Sequence, residues 1–269
     1  MSGRRVTVFL PLSRRDRVKH TCLQVMGLDV DGLDVDVVVV VDNPDIGVHE
    51  FSSILGSRLS SYCYASNGVV DDGTDMAVRR ERVCDVFGLG ADLVGDCELV
   101  FVLEDDTDIE PDFLVRLVEL YDKTPNAGVV SGVECGRWLY RIIGAWDVDD
   151  VADPRKIESV AFRDFVTHQY VCATGFYCCV IRAELFKSGV FRHDLLGPDF
   201  YFGLDVAARG FTNVIDWSVR CGHATKTIYL TPDMSDAVVR FDLIGGYWVR
   251  NQEEDPRVRH RRLLSLPLL

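Results

Sequence analysis

The sequence predicts an α/β domain built on a mostly parallel central sheet with helices on both faces. Three observations lead there. Val6–Leu10, Val35–Val41 and Leu99–Leu103 are short apolar runs without polar alternation, as expected of strands buried on both faces. Segments with helical apolar spacing follow these runs, and alternation of strand and helix specifies a doubly wound sheet. Two of the runs end in carboxylates, Asp42 and the cluster Glu104–Asp108. Open α/β sheets bind ligands beyond the carboxyl ends of their strands.

The elements follow in order. Val6–Leu10 reads as a strand ended by Pro11, whose ring removes a ladder donor. Arg14–Gly27 carries apolar residues at Val18, Cys22, Val25 and Met26, a helical stripe. Val35–Val41 is β-branched almost throughout and stops at Asp42-Asn43-Pro44. Tyr62–Ala65 is a third strand closed by the turn Ser66-Asn67-Gly68. Thr74–Val86 reads as a helix with a charged face at Arg79, Arg80, Glu81 and Arg82. Leu99–Leu103 delivers the acids, and Pro111-Asp112-Phe113-Leu114 opens the next helix.

Beyond Val129-Val130, a short strand, the pattern is less regular. Asp147–Asp164 is polar and reads as loop, Val171–Ile181 is apolar and aromatic, Pro198–Arg209 is helical, and Val214-Ile215 resumes a strand. No internal repeat or linker divides the chain, so a single domain is expected.

Composition narrows the function. The 48% hydrophobic content suffices for a sizeable core. With 29 basic and 42 acidic residues the formal charge is −13, which argues against a broad nucleic-acid surface. The basic tail Arg257–Arg262 is either an anion contact or a solvated end. The longest apolar run, Val37–Val41, is far short of a bilayer span. Met1–Arg5 leads into a strand with no apolar leader core, so a cytoplasmic protein is expected. The nine cysteines lack any Cys-x-x-Cys pair, which favours buried reduced thiols over a zinc ribbon or a disulfide framework. No Gly-x-Ser-x-Gly elbow, phosphate-binding Gly-Lys loop or His-Glu-x-x-His motif supports a hydrolase, an ATPase or a metalloprotease.

Glu104-Asp105-Asp106-Thr107-Asp108 is the most informative stretch. Its four carboxylates repel one another, so their clustering at a strand end asks for a cation. Oxygen ligands suit Mg²⁺ or Mn²⁺ shared with substrate phosphates. A solvated acidic turn is the alternative.

This stretch resembles the DxD region of GT-A fold glycosyltransferases, especially the family-2-like group. In that family a hydrophobic strand delivers an acidic triplet, then a Pro-Asp helix start. Glu104 and Asp106 match the outer acids, with Glu replacing the first Asp and Asp108 an additional acid. Other segments are similar in the same order. Pro11, Ser13 and Arg14 match the first turn, and Asp42 the acid that meets base or ribose. Arg79 falls where an Ala-Arg pair lies near the pyrophosphate. Cys172–Tyr177 resembles the small-residue strand beneath the acceptor, and Asp199, eleven residues before Gly210, the inverting general base. A simple helix cap is the alternative for Asp199. His223 matches the histidine that completes the metal site.

The resemblance implies a GT-A domain over residues 1–231, with a nucleotide half to about 132, an acceptor half to 231, and a C-terminal extension over 232–269. It implies Mn²⁺ or Mg²⁺ held by Glu104, Asp106, Asp108 and His223. The implied donor is a UDP- or GDP-type sugar contacted by Pro11, Ser13, Arg14, Asp42, Arg79 and Asp105. Inversion through Asp199 and retention both stay open, and so does the acceptor: glycan, protein, small molecule or modified nucleic acid. A sugar-phosphate nucleotidyltransferase would need a glycine-rich loop where Leu12–Asp16 has none. A non-catalytic divalent-ion or nucleotide-binding module of the same fold is the third reading.

Overall fold

The computed structural model of the protein describes residues 3–65, 76–135, 143–151, 154–161, 166–193, 196–224, 229–232, 240–244 and 247–251. The turn expected at Ser66–Gly68 and the basic tail Arg257–Arg262 lie outside the described residues.

The first half contains β1 (Arg4–Leu12), α1 (Arg15–Met26), β2 (Leu33–Val41), α2 (Val48–Leu55), β3 (Leu59–Tyr64), α3 (Met76–Leu93), β4 (Leu99–Leu103), β5 (Thr107–Asp108), α4 (Phe113–Lys123) and β6 (Ala127–Val133). The second contains β7 (Ala145–Val148), β8 (Lys156–Ser159), β9 (His168–Val171), β10 (Ala173–Thr174), β11 (Cys178–Arg182), α5 (Ala183–Lys187), α6 (Pro198–Ala208), β12 (Thr212–Arg220), β13 (Gly222–Ala224), β14 (Tyr229–Leu230), β15 (Arg240–Ile244) and β16 (Tyr247–Asn251).

The central sheet has eight strands in the order β3-β2-β1-β4-β11-β6-β12-β9. Strands β1 to β4 are mutually parallel, as are β6 and β12, whereas β11 runs antiparallel between β4 and β6 and β9 antiparallel on β12. The sheet is therefore mostly parallel, and Leu12, Val41, Leu103 and Val133 end their strands at one shared rim. Helices cover both faces. Along β2, Val37, Val39 and Val41 join the cluster that holds Val18 and Cys22 of α1, Phe51 of α2 and Leu117 of α4. Val38 and Val40 join the opposite cluster, with Phe87 of α3, Phe186 of α5 and Phe202 of α6. This two-sided burial is what an all-apolar strand requires. Cys178 and Cys179 divide between the same two clusters, and all nine cysteines are free thiols.

Three expectations are corrected. β1 continues through Pro11 to Leu12, because a proline at a strand end forfeits little and the Leu12 carbonyl still accepts from Asp42 N–H at 2.8 Å. α3 runs beyond Val86 to Leu93 as its buried stripe continues in Phe87 and Ala91. Gly90 lies inside it because a Cβ there would come within 2.5 Å of the Phe9 ring. The stretch Asp147–Asp164 is not simply loop. It contributes the ends of β7 and all of β8 to a second sheet, ordered β10-β7-β8-β15-β16. Within β8 itself the one aliphatic residue, Ile157, is too little apolar pattern to reveal the strand. Residues 240–251 of the expected C-terminal extension supply the last two strands of that sheet.

A small third sheet, β14-β13-β5, stands over the rim of the central one. Among the described residues no helix is long and apolar enough to cross a membrane.

Candidate functional site

The acids leave β4 in a tight turn, with Thr107 N–H donating to the Glu104 carbonyl at 3.1 Å. Side chains of α1 grip this turn. Thr21 Oγ1 and Arg17 Nε each donate to the Asp105 carbonyl at 3.2 Å. Gln24 Nε2 donates to the Thr107 carbonyl at 3.2 Å, and Gln24 Oε1 accepts from Ile109 N–H at 2.8 Å. On the other side, β13 pairs with β5 and Ala224 N–H donates to the Asp106 carbonyl at 2.8 Å. The turn is fixed by both neighbours, so its carboxylates are held in place rather than left in solvent.

Each acid meets a different environment. The buried Asp105 carboxylate accepts the backbone N–H groups of Ser13 and Arg14 at 2.6 and 2.7 Å, with Ser13 Oγ at 3.2 Å. Burial raises its pKa, while those N–H groups and the Arg14 charge oppose the rise. Asp106 is 1% exposed, and its Oδ2 lies 2.9 Å from Arg14 Nη2 and 3.0 Å from His223 Nε2. Arg14 Nη1 also donates to the Ala224 carbonyl at 2.9 Å. Asp108 turns to α1, where Arg17 and His20 hold it, the latter at 2.8 Å. Glu104 is half-buried, with its N–H donating to the Tyr177 carbonyl at 3.0 Å.

His223 follows β12 and is anchored from behind by a residue that the sequence reading missed. Its Nδ1 lies 2.6 Å from Glu134 Oε1 and 2.7 Å from the Cys135 carbonyl. Thr107 Oγ1 donates to the other Glu134 oxygen at 2.8 Å. Glu134 is 2% exposed, burial raises its pKa, and His223, Thr107 and Arg14 pull it back. The signal was available: Glu134 immediately follows a strand whose C-terminal end lies on the rim, as Asp42 and Glu104 do.

The remaining predicted residues are distributed around this centre. Asp42 Oδ1 pairs with Arg82 of α3 at 2.8 Å, and the same guanidinium donates to the Asp42 carbonyl at 2.9 Å. Asn43 Nδ2 donates to the Ser13 carbonyl at 2.9 Å, tying the turns after β1 and β2 together. Pro11 is half-buried at the end of β1, and Arg79 is half-buried on α3. Of the α3 arginines, Arg82 reaches Asp42 and Arg80 acts on Asp199.

Asp199 is the second residue of α6, with Gly197 as the N-cap, so it is not the cap residue itself. A Cβ on Gly197 would lie 2.4 Å from Asp199 Oδ1, so a side chain there would push the carboxylate out of this position. Burial raises the Asp199 pKa, against the pull of the Phe200 and Asp199 N–H groups and of Arg80. Its charge and that of Glu104 both raise the pKa of the buried Cys179 thiol of β11, which burial raises most.

Asp106 and His223 fit a divalent cation shared with a ligand. They offer a carboxylate oxygen and an imidazole nitrogen pointing at each other, the donor types that Mn²⁺ accepts. Among the described residues no group of three or more His, Cys, Asp or Glu side chains is arranged to hold an ion. The donor set suits an ion completed by phosphate oxygens and water.

No protein-family model matches the chain, and no curated protein matches it in sequence. Solved structures similar to it include the following two. A197 from STIV is 16% identical with a TM-score of 0.43, the match covering 93% of this chain and 99% of that one. The mannosyltransferase PcManGT from Pyrobaculum calidifontis, solved in complex with GDP-Man and Mn²⁺, is 17% identical with a TM-score of 0.48. That match covers 78% of this chain and 54% of the mannosyltransferase, about half its length.

Proposed function

We propose that the chain is a nucleotide-sugar-dependent glycosyltransferase that moves a sugar from a UDP- or GDP-type donor to an acceptor hydroxyl with Mn²⁺ or Mg²⁺. The observation that carries this reading is the buried pair Asp106–His223 at the carboxyl rim of a mostly parallel sheet, 3.0 Å apart. The rim is where such sheets take nucleotides, and the pair supplies hard ligands beside an arginine. Asp42, Ser13 and Arg14 line the turns that would receive base, ribose and diphosphate.

In this reading Asp106 and His223 hold the cation, with Glu134 orienting His223 as carboxylates commonly orient ligating histidines. When bound, the ion supplies Lewis-acid neutralisation of the diphosphate leaving group. Asp199 supplies the other half of the chemistry. Its raised pKa makes it a stronger proton acceptor than an exposed aspartate, suited to take the acceptor hydroxyl's proton as oxygen attacks the anomeric carbon. Attack from the face opposite the nucleotide inverts that centre.

Thermal melting against a panel of sugar nucleotides with Mn²⁺ tests the proposal. A UDP- or GDP-sugar should raise the melting temperature. Stabilisation by a nucleoside triphosphate with a sugar phosphate, and by no sugar nucleotide, would favour nucleotidyl transfer instead.

A further inference from the structure

We propose that Arg14 is an exchangeable counter-ion of Asp106: it holds that carboxylate in the free protein and moves to the donor diphosphate when ion and nucleotide enter together. This rests on the nucleotide-sugar reading above and adds an order of binding to it.

The geometry sets up the exchange. Arg14 Nη2 lies 2.9 Å from Asp106 Oδ2, the oxygen that also faces His223 Nε2 at 3.0 Å. A divalent ion on that oxygen would stand beside the guanidinium, and two cations in a buried site repel one another. Asp106 is nearly inaccessible, with 2% of its side chain exposed, whereas 22% of the Arg14 side chain is exposed. The arginine is therefore the partner with somewhere to go.

Arg14 cannot leave the site altogether. Its backbone N–H is held by Asp105 Oδ2 at 2.7 Å, which anchors the residue at the start of α1 while its side chain turns. Its second anchor is one neutral acceptor, the Ala224 carbonyl at 2.9 Å, which is weaker than a charged partner. A diphosphate supplies that charged partner and accepts a guanidinium in a bidentate manner. Mn²⁺ alone would displace Arg14 without offering it an anion. Mn²⁺ with a nucleoside diphosphate neutralises Asp106 and gives Arg14 a new partner at once. Metal and nucleotide then bind as positively coupled ligands, each improving the other's affinity by the same factor.

Mn²⁺ titration of the full chain, followed by electron paramagnetic resonance of the free ion, tests this with no nucleotide, with UDP and with GDP. The wild type should bind Mn²⁺ weakly alone and at least about 10-fold more tightly with one of the nucleotides. Arg14→Gln should bind Mn²⁺ alone about 10-fold more tightly than the wild type, and the benefit from nucleotide should shrink. Arg14→Met serves as a second charge-removing variant, with thermal melting verifying that each is folded. If a folded variant binds Mn²⁺ alone no better than the wild type, the exchange is wrong while the donor reading stands. If neither nucleotide promotes Mn²⁺ binding in the wild type, the donor reading falls and takes the exchange with it. If neither variant folds, Arg14 is a structural ion-pair residue and the proposal is overturned.

Discussion

Asp106 and Asp199 are both aspartates at the ends of regular elements, yet their surroundings differ in kind. Asp106 is enclosed by cationic and imidazole groups supplied from Arg14 and His223, more than two hundred positions apart in the chain. Asp199 sits over the start of its own helix, with backbone N–H groups and the charge of Arg80 against a larger burial effect. The first setting surrounds the carboxylate with side chains from distant parts of the chain. The second makes a carboxylate that takes up a proton readily. A transferase needs both, one for the leaving group and one for the nucleophile.

Substituting Asp199, the proposed base, should give the largest effect. Asp199→Asn retains volume but cannot accept a proton, so transfer should fall ~10²–10⁴-fold with donor binding retained. Loss of donor binding in that variant would move Asp199 to the rim and collapse the contrast. Its raised pKa also fixes the sign of two pH effects. Asp199 must be ionised to act, so transfer should climb with pH along a limb above the ordinary aspartate range. Stability runs the other way. The contribution of Asp199 is fully present below its unfolded pKa and lost as pH rises through its folded one. Melting curves should therefore show Asp199→Asn losing less stability than the wild type on going from acid to neutral pH.

On the rim, Asp106→Ala should reduce transfer about a hundredfold, corresponding to ~3 kcal/mol of leaving-group stabilisation. Full activity in excess chelator would remove the cation from the account. Glu134→Gln tests whether the rim needs its supporting carboxylate. Mn²⁺ affinity measured with UDP or GDP present should drop ~10–100-fold, as for other residues that orient a ligating histidine. An unchanged affinity would leave Glu134 a packing residue. Asp42→Ala should act least, weakening nucleotide binding about tenfold and leaving the chemical step nearly unchanged. Calorimetry with unaltered nucleotide affinity would exclude Asp42 from the site.

The two regions also differed in how far they could be read from sequence. β4, and β1 and β2 over Val8–Leu10 and Val37–Val41, are buried on both faces, so each shows a continuous apolar run. The strand-end rule then directs attention to Asp42 and Glu104–Asp108. Within β8, by contrast, Lys156, Glu158 and Ser159 surround a single aliphatic residue, Ile157, and its pairing with β7 and β15 is non-local. Nothing in a short window reports such a partner. Glu134 was lost for a related reason. It is one acid after a strand that reads as only Val129-Val130, and its meaning depends on His223, far along the chain. Partner choice among charges was equally hidden. Arg79, Arg80 and Arg82 share one helix, and only the fold assigns Arg82 to Asp42 and Arg80 to Asp199.

The proposed function requires the Asp106–His223 rim to bind a nucleoside diphosphate through a divalent cation. Calorimetric titration of UDP and of GDP into the protein, with Mn²⁺ and then with excess chelator, measures this directly. One nucleotide should bind in Mn²⁺ and lose at least about tenfold in affinity in chelator, with Asp106→Ala in Mn²⁺ behaving like the chelated wild type. Binding of equal strength with and without the metal, or no binding of either nucleotide, would contradict the account.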